Sequence, residues 1–193
     1  MNRDLSSADA ILGAAVDILH RKGAGALTVR SVATLAGCST TGVYTWFGGK
    51  NGLVEAIFVD GFRRFGLALD AARISPDPGE PRDLANAYRR WALQNPTHYM
   101  VMFGRSVPDY EPSPEALVAA MATFEMLVAA TTAAINRGEL AGQPRNVAHH
   151  LWATIHGYVS LELAGMDAVS ATDDDRRQSL FAEGLTLVWL GCR

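Results

Sequence analysis

Cysteine is scarce: Cys38 and Cys192 are the only two in 193 residues, and they form no CxxC pair. That excludes a disulfide framework and points to a reducing compartment. Net positive charge is also missing. Seventeen Lys and Arg against twenty Asp and Glu leave −3, so the chain cannot coat a polyanion uniformly, and any nucleic-acid contact must come from a local patch. No segment sustains the apolar/polar alternation of a strand. There is no phosphate-cradling glycine loop, HExxH pair or GxSxG elbow. The opening MNRDLSSADA has neither the apolar core nor the cleavage pattern of a secretory signal. These absences lead us to expect a cytoplasmic protein without cofactor or metal site.

What is present reads as globular: 49% apolar and 19% charged residues in a length that suits one or two domains. Apolar residues recur at three and four, as in Ile11, Ala14, Ala15, Ile18 and Leu19, or Leu84, Tyr88, Trp91 and Ala92, which is helical spacing. Gly- and Pro-rich punctuation divides the chain into about nine helices. The first three are expected to be short and the fourth medium, all within the first seventy residues, with longer and more apolar ones following. The expected class is all-α. The Pro-rich ISPDPGEP at 74–81 makes the clearest divide, giving segments 1–50, 51–73 and 74–193. Ser7 and Thr28 suit the caps of the first two helices, and Asp173 to Asp175 suit the start of the last. One stretch, Ala116 to Ile135, is apolar or Thr apart from Glu125 and reaches membrane length at about 30 Å. Its Ala, Thr and Met content and its mid-span carboxylate read instead as a buried core helix, with no membrane partner.

Charge is uneven along the chain. Residues 1–66 carry seven basic and five acidic side chains, and the remainder carries ten and fifteen. The basic third contains LTVRSVATLAGCSTTGVYTWFGGKNGL, Leu27 to Leu53. Two short helices, Thr28 to Ala36 and Thr40 to Phe47, joined by Gly37-Cys38-Ser39, have the spacing of a helix-turn-helix. Ala33 supplies the small residue at the crossing and Gly37 tolerates positive φ. Val32, Ala36, Val43 and Trp46 or Phe47 face inward. If the second helix lies in a major groove, its outward residues must be small or polar, and Thr40, Thr41, Gly42 and Thr45 fit. A Tyr44 hydroxyl one turn on can reach phosphate, and Lys50 can add a salt-sensitive contact. The recognition helix has no Arg or Lys, so Arg30 is the nearby candidate for guanine readout; a solvated surface charge explains it equally well.

These segments resemble the TetR family of bacterial transcriptional regulators. TVRSVATLAG matches the family's first motif helix, STTGVYTWF the recognition helix, and GGKNGLVEAI the lead into a connecting helix. The resemblance implies that Tyr44, Lys50 and the Thr28 hydroxyl hold phosphates and that Ser39 to Gly42 and Thr45 face bases. The sequence departs from the family at Trp46, where a His is common and would make a polar DNA contact. The implied segments are a helix-turn-helix domain at 1–50, a connecting helix at 51–73, and an effector-binding and dimerisation domain at 74–193.

The later helices are rich in aromatics and Met, which suit either ordinary core or an adaptable apolar cavity. NPTHYMVMFG (Asn95 to Gly104) and LWATIHGYVSLELAG (Leu151 to Gly165) resemble a C-terminal domain class of some TetR regulators, with its Trp then His-Gly as Trp152, His156 and Gly157. Relatives of this class form a homodimer and often an effector cavity, so Trp91, Tyr99, Phe103, Met121, Phe124, Trp152 and His156 are candidate ligand-lining residues. Two reads of a palindrome one helical turn apart, about 34 to 36 Å, also call for a twofold pair. Helices at Asn146 to Ala164 and Asp174 to Leu190 could meet their symmetry mates through Leu180, Phe181, Gly184, Leu185 and Val188; an intrachain core has the same periodicity. The expectation is a repressor that leaves a double-stranded palindromic operator when a small apolar or amphipathic effector binds. The competing reading is a small all-helical enzyme using His156 in an apolar pocket, with Ser160 four residues on.

Overall fold

The computed structural model describes residues 2–73, 80–166 and 173–193, with side chains from Ser7 onward. Among them are nine α-helices, one 3-10 turn and no strand. In chain order they are α1 (Asn2–Lys22), the turn Ala24–Ala26, α2 (Val29–Ala36), α3 (Thr40–Phe47), α4 (Lys50–Arg73), α5 (Pro81–Gln94), α6 (Pro96–Phe103), α7 (Pro114–Asn136), α8 (Pro144–Leu163) and α9 (Asp174–Gly191). The divide expected at 74–81 lies mostly outside the described residues. So does most of the break before Asp174.

The described chain forms two compact units. The first holds Met1–Arg63 with Asn95–Ala120, and the second Arg64–Gln94 with Met121–Arg193. In the first, Ile11, Ala15 and Ile18 of α1 bury with Leu27, Val32, Val43, Leu53 and Ile57. This is how an amphipathic three-helix head hides one apolar stripe per helix. In the second, Leu84, Tyr88 and Ala92 of α5, Ile155 and Val159 of α8, and Phe181 and Leu185 of α9 are buried.

Two expectations are corrected, for α1 and α7, and for the α9 face the intrachain alternative is the one found. Helix α1 begins at Asn2 and runs for 21 residues, so it is long, and Ser7 lies inside it rather than at its cap. Phe181, Gly184 and Leu185 are buried within the chain itself, and a Cβ at Gly184 would lie 2.3 Å from the Tyr158 ring. Gly184 therefore permits close approach of its own α8. The large apolar side chains left outward on α8 and α9 are Leu161, Leu187 and Leu190. Helix α7 is long and apolar enough to cross a membrane, but only 28% of its most apolar window is buried. It is not a wholly buried core helix: Thr123, Leu127, Thr131 and Ala134 turn inward while Leu117, Val118 and Met121 stay exposed. Its Glu125 is paired with Arg145 at 2.7 Å.

Candidate nucleic-acid interface

The helix-turn-helix is fixed by local chemistry at each end. Thr28 starts α2 with a reciprocal capping box: its hydroxyl accepts the Ser31 N–H at 3.0 Å, and the Ser31 hydroxyl accepts the Thr28 N–H at 3.0 Å. At the other end Gly37 adopts φ 68°, and the Cys38 N–H donates to the Ala33 carbonyl at 3.0 Å. That bond satisfies an orphan carbonyl and turns the chain. Ser39 then caps α3 by accepting the Gly42 N–H at 3.1 Å, and Gly48 ends α3 at φ 69°.

This frame pins α3 by one buried residue, Val43, and leaves the rest of its face open. Ser39, Thr40, Thr41 and Thr45 are exposed, Gly42 is half-buried, and Tyr44 is 58% exposed. Trp46 is 43% exposed and Phe47 half-buried, so Phe47 takes the inward place that the sequence left open between them. On α2 and its cap, Thr28 and Arg30 are exposed. The Thr45 hydroxyl donates to the Thr41 carbonyl, which leaves its oxygen able to accept.

The junction of α3 and α4 rests on a glycine that the motif spacing does not explain. A Cβ at Gly52 would lie 1.6 Å from the Phe47 carbonyl oxygen, so α4 can start against the end of α3 only with hydrogen at this position. The available signal was a glycine inside a helix, where Ala would be more stable by roughly 0.5–1 kcal/mol unless something forbids it. Lys50, half-buried, donates to the Ala24 carbonyl at 3.4 Å and so fastens the α1–α2 linker to the start of α4. The Tyr44 ring lies over Gly49, whose added Cβ would meet Cε1 at 3.4 Å.

Helix α6 is keyed to α1 and α4 of the same unit. His20 Nδ1 lies 3.1 Å from the Thr97 hydroxyl, and His98 Nε2 lies 3.5 Å from Asp60. Gly61 leaves room for Met102, whose sulfur would be 2.6 Å from an added Cβ. Beyond α6, the Tyr110 hydroxyl donates to Glu55 on α4, and the Ser113 N–H reaches the same carboxylate. Burial alone would raise the Glu55 pKa, but hydrogen bonds from Ser113 and Tyr110 outweigh it and hold the carboxyl below its ordinary range.

The candidate ligand-lining residues divide between the units. Tyr99 is buried and stacks on half-buried Phe103 at 5.0 Å in the first. In the second, Trp152 lies 6.0 Å from Phe124 and 5.8 Å from His156, Trp91 packs on Phe65 at 5.1 Å, and Met121 is exposed. His156 Nδ1 lies 3.0 Å from the Tyr88 hydroxyl, a pairing across two helices that no spacing within one segment reveals. Burial pushes the His156 pKa below its ordinary value. The unfolded chain then binds more protons in the window below about 6.5, so stability should fall as pH drops through it and level off below the folded pKa. Replacing His156 with Gln should flatten that part of a urea-unfolding profile against pH; a slope identical to wild type would show that another group titrates there. Among the described residues no group of three or more His, Cys, Asp or Glu could hold a metal ion.

Comparison with known proteins bears on this geometry. The pattern described as "Tetracyclin repressor-like, C-terminal domain" matches residues 82–187, and that of "Bacterial regulatory proteins, tetR family" matches residues 11–57. The HTH-type transcriptional regulator Rv1816 of Mycobacterium tuberculosis is 29% identical over 97 residues, which cover 48% of this chain and 42% of that protein. The match thus spans less than half the length of the curated relative. A crystal structure of SCO4313, a protein described as regulatory, superimposes with a TM-score of 0.83 at 26% identity over 97% of both chains. A tetR-family regulatory protein from Rhodococcus RHA1 gives 0.69 at 25% identity, over 97% of this chain and 98% of that one.

Proposed function

Because the chain belongs to the TetR family of bacterial regulatory proteins, and is accordingly a DNA-binding transcriptional regulator, we propose that it acts as a homodimeric repressor released from a palindromic operator by a small apolar or amphipathic effector. The observation that carries this reading is the outward face of α3, which buries Val43 and offers Thr40, Thr41, Tyr44 and Thr45 to a partner. In it, Ser39 to Gly42, Thr45 and Trp46 meet base edges, while Thr28, Tyr44, Lys50 and, in place of the guanine readout considered for it, Arg30 hold phosphates. Trp46 can offer a base edge its ring face and its indole N–H, a donor with no acceptor. A regulator of this kind works where the chromosome is, in the cytoplasm.

The twofold partner packs against the face bearing Leu161, Leu187 and Leu190, side chains 52%, 71% and 54% exposed in the single chain. Ala153 and Gly157 of α8, also exposed, allow helices of the two copies to approach. An effector in the aromatic body, among Phe124, Trp152 and His156, favours one arrangement of the two heads. Release follows only if it binds that arrangement more tightly than the DNA-bound one. The keyed seat of α6 on α1 and α4 is consistent with such coupling, since α6 cannot shift without disturbing the head. The segments 1–50, 51–73 and 74–193 serve as head, connector and body in this scheme.

The test is direct. Footprinting around the chain's own gene supplies an operator, and Tyr44→Phe with Lys50→Ala should weaken binding to it and reduce the slope of log K against log salt by about 1 for each phosphate no longer held. His156→Gln should leave DNA affinity intact and change only the response to effector. Unchanged affinity in the double variant would show that the assigned contacts are wrong.

A further inference from the structure

Duplex DNA is held mostly through its phosphates, and cations supply that part of the affinity. The open face of α3 has none: Thr40, Thr41, Tyr44, Thr45 and Trp46 are all exposed and all neutral. The electrostatic contribution must come from elsewhere on the same unit. Lys50 spends one donor on Ala24. Arg21, Lys22 and Arg30, however, line one cleft of about 730 Å³ between the C-terminal half of α1 and α2. Its lining contains a single acid, Asp17, which bonds Arg21 at 2.5 Å. The cleft is therefore positive by two charges.

Position reinforces charge. The cleft includes Thr28 and Ser31 of the first turn of α2, the end of a helix that favours anions. Lys50, bonded to the Ala24 carbonyl in the α1–α2 linker, is a further cation of the same unit. Basic residues in the last turn of α1 also complement that helix's own dipole, but that does not require them to share a cavity with Arg30. A guanidinium forks onto two phosphate oxygens and an ammonium acts as a point charge, so a diester of the backbone suits both without base recognition.

We propose that the α1–α2 cleft is a phosphate cradle in which Arg21 and Lys22 join Arg30 on the DNA backbone beside the bases that α3 faces. This rests on the DNA-binding reading and adds a contact region outside the recognition helix, on residues that the motif does not include.

The experiment uses the full chain and a labelled mixed-sequence duplex of about 30 base pairs, because nonspecific affinity is almost wholly phosphate contact. Binding is followed by anisotropy between roughly 50 and 200 mM salt, with circular dichroism to verify the fold. Over that fourfold range each phosphate contact costs about 3.5-fold in affinity. Lys22→Ala should lower the magnitude of the salt slope by about 0.9 per protomer, and Arg21→Ala with Lys22→Ala by about twice that. Arg145→Ala removes the same charge from α8 and should leave the slope at the wild-type value. If the Lys22 and double variants keep the wild-type slope while Lys50→Ala lowers it, the cradle is wrong and the DNA-binding reading stands. A fall in slope as large in Arg145→Ala as in Lys22→Ala also overturns the cradle, since net charge would then explain both. A wild-type chain with no salt-dependent affinity for the duplex removes both readings together.

Discussion

Gly52→Ala should destabilise the head by on the order of 3 kcal/mol and abolish operator binding. The added methyl would sit 1.6 Å from the Phe47 carbonyl oxygen, a backbone atom that cannot swing aside as a side-chain tip can. Relief requires the start of α4 to move off the end of α3. That movement shifts Lys50, which ties the α1–α2 linker at Ala24, and Tyr44, whose ring rests on Gly49. The matched comparison is Gly13→Ala in α1, where a Cβ meets nothing within 4 Å and the substitution should stabilise by roughly 0.5–1 kcal/mol. Urea unfolding of the two variants should move the midpoint in opposite directions. If Gly52→Ala unfolds at the wild-type midpoint, the α3–α4 junction is looser than its geometry states.

The same residue shows what a sequence can disclose and what it cannot. The limits of α2 and α3 were legible because they are set within four residues: a Thr28 cap, a Gly37 turn, a Ser39 cap, a Gly48 stop. Each is a bond between near neighbours, so residue type and spacing suffice to place it. Gly52 meets the Phe47 carbonyl only through the particular course of the Gly48-Gly49 turn between α3 and α4, and its presence in the motif carried no account of why. Trp46 and Phe47 were equal candidates for the core because adjacent positions on a short helix point about 100° apart, and only the docking of α3 decides which one is covered.

Longer-range facts were illegible for a related reason. The periodicity of α9 marked Phe181, Gly184 and Leu185 as one apolar face, but a face does not name its partner. The structure gives that face to α8 of the same chain and leaves Leu187 and Leu190 outward. Composition alone made α7 look like a core helix, yet its apolar residues run all round it and only one side finds neighbours. The seat of α6 on α1 and α4 joins residues nearly eighty positions apart, such as His20 and Thr97. No local pattern encodes such a contact. Tyr88 with His156 and Arg89 with Glu162 belong to the same class, polar partners chosen by tertiary packing.

Arg89→Ala should cost about 3 kcal/mol of stability, the low end for a broken buried ion pair. The guanidinium of Arg89 forks onto both Glu162 oxygens at 2.8 and 2.6 Å, and the two side chains are only 12% and 13% exposed. A third bond, at 2.6 Å, runs to Gln178, and the cation lies 5.8 Å from the centre of the Phe181 ring. One side chain of α5 thus holds α8 and α9 together. Removing it leaves the largely buried Glu162 carboxylate without its cation, which costs more than the missing attraction. The decisive comparison is therefore the double variant Arg89→Met with Glu162→Met. With no charge left unpaired it should recover to within about 1 kcal/mol of wild type, whereas Arg89→Met and Glu162→Met singly should each cost about 3 kcal/mol, so the losses fall far short of adding. Additive losses would mean that the pair is solvated in practice and contributes little. Because Gln178 and the outward Leu187 and Leu190 share α9, the single variant should also unfold with a shallower dependence on protein concentration, as loosening α9 weakens the face assigned to the second copy.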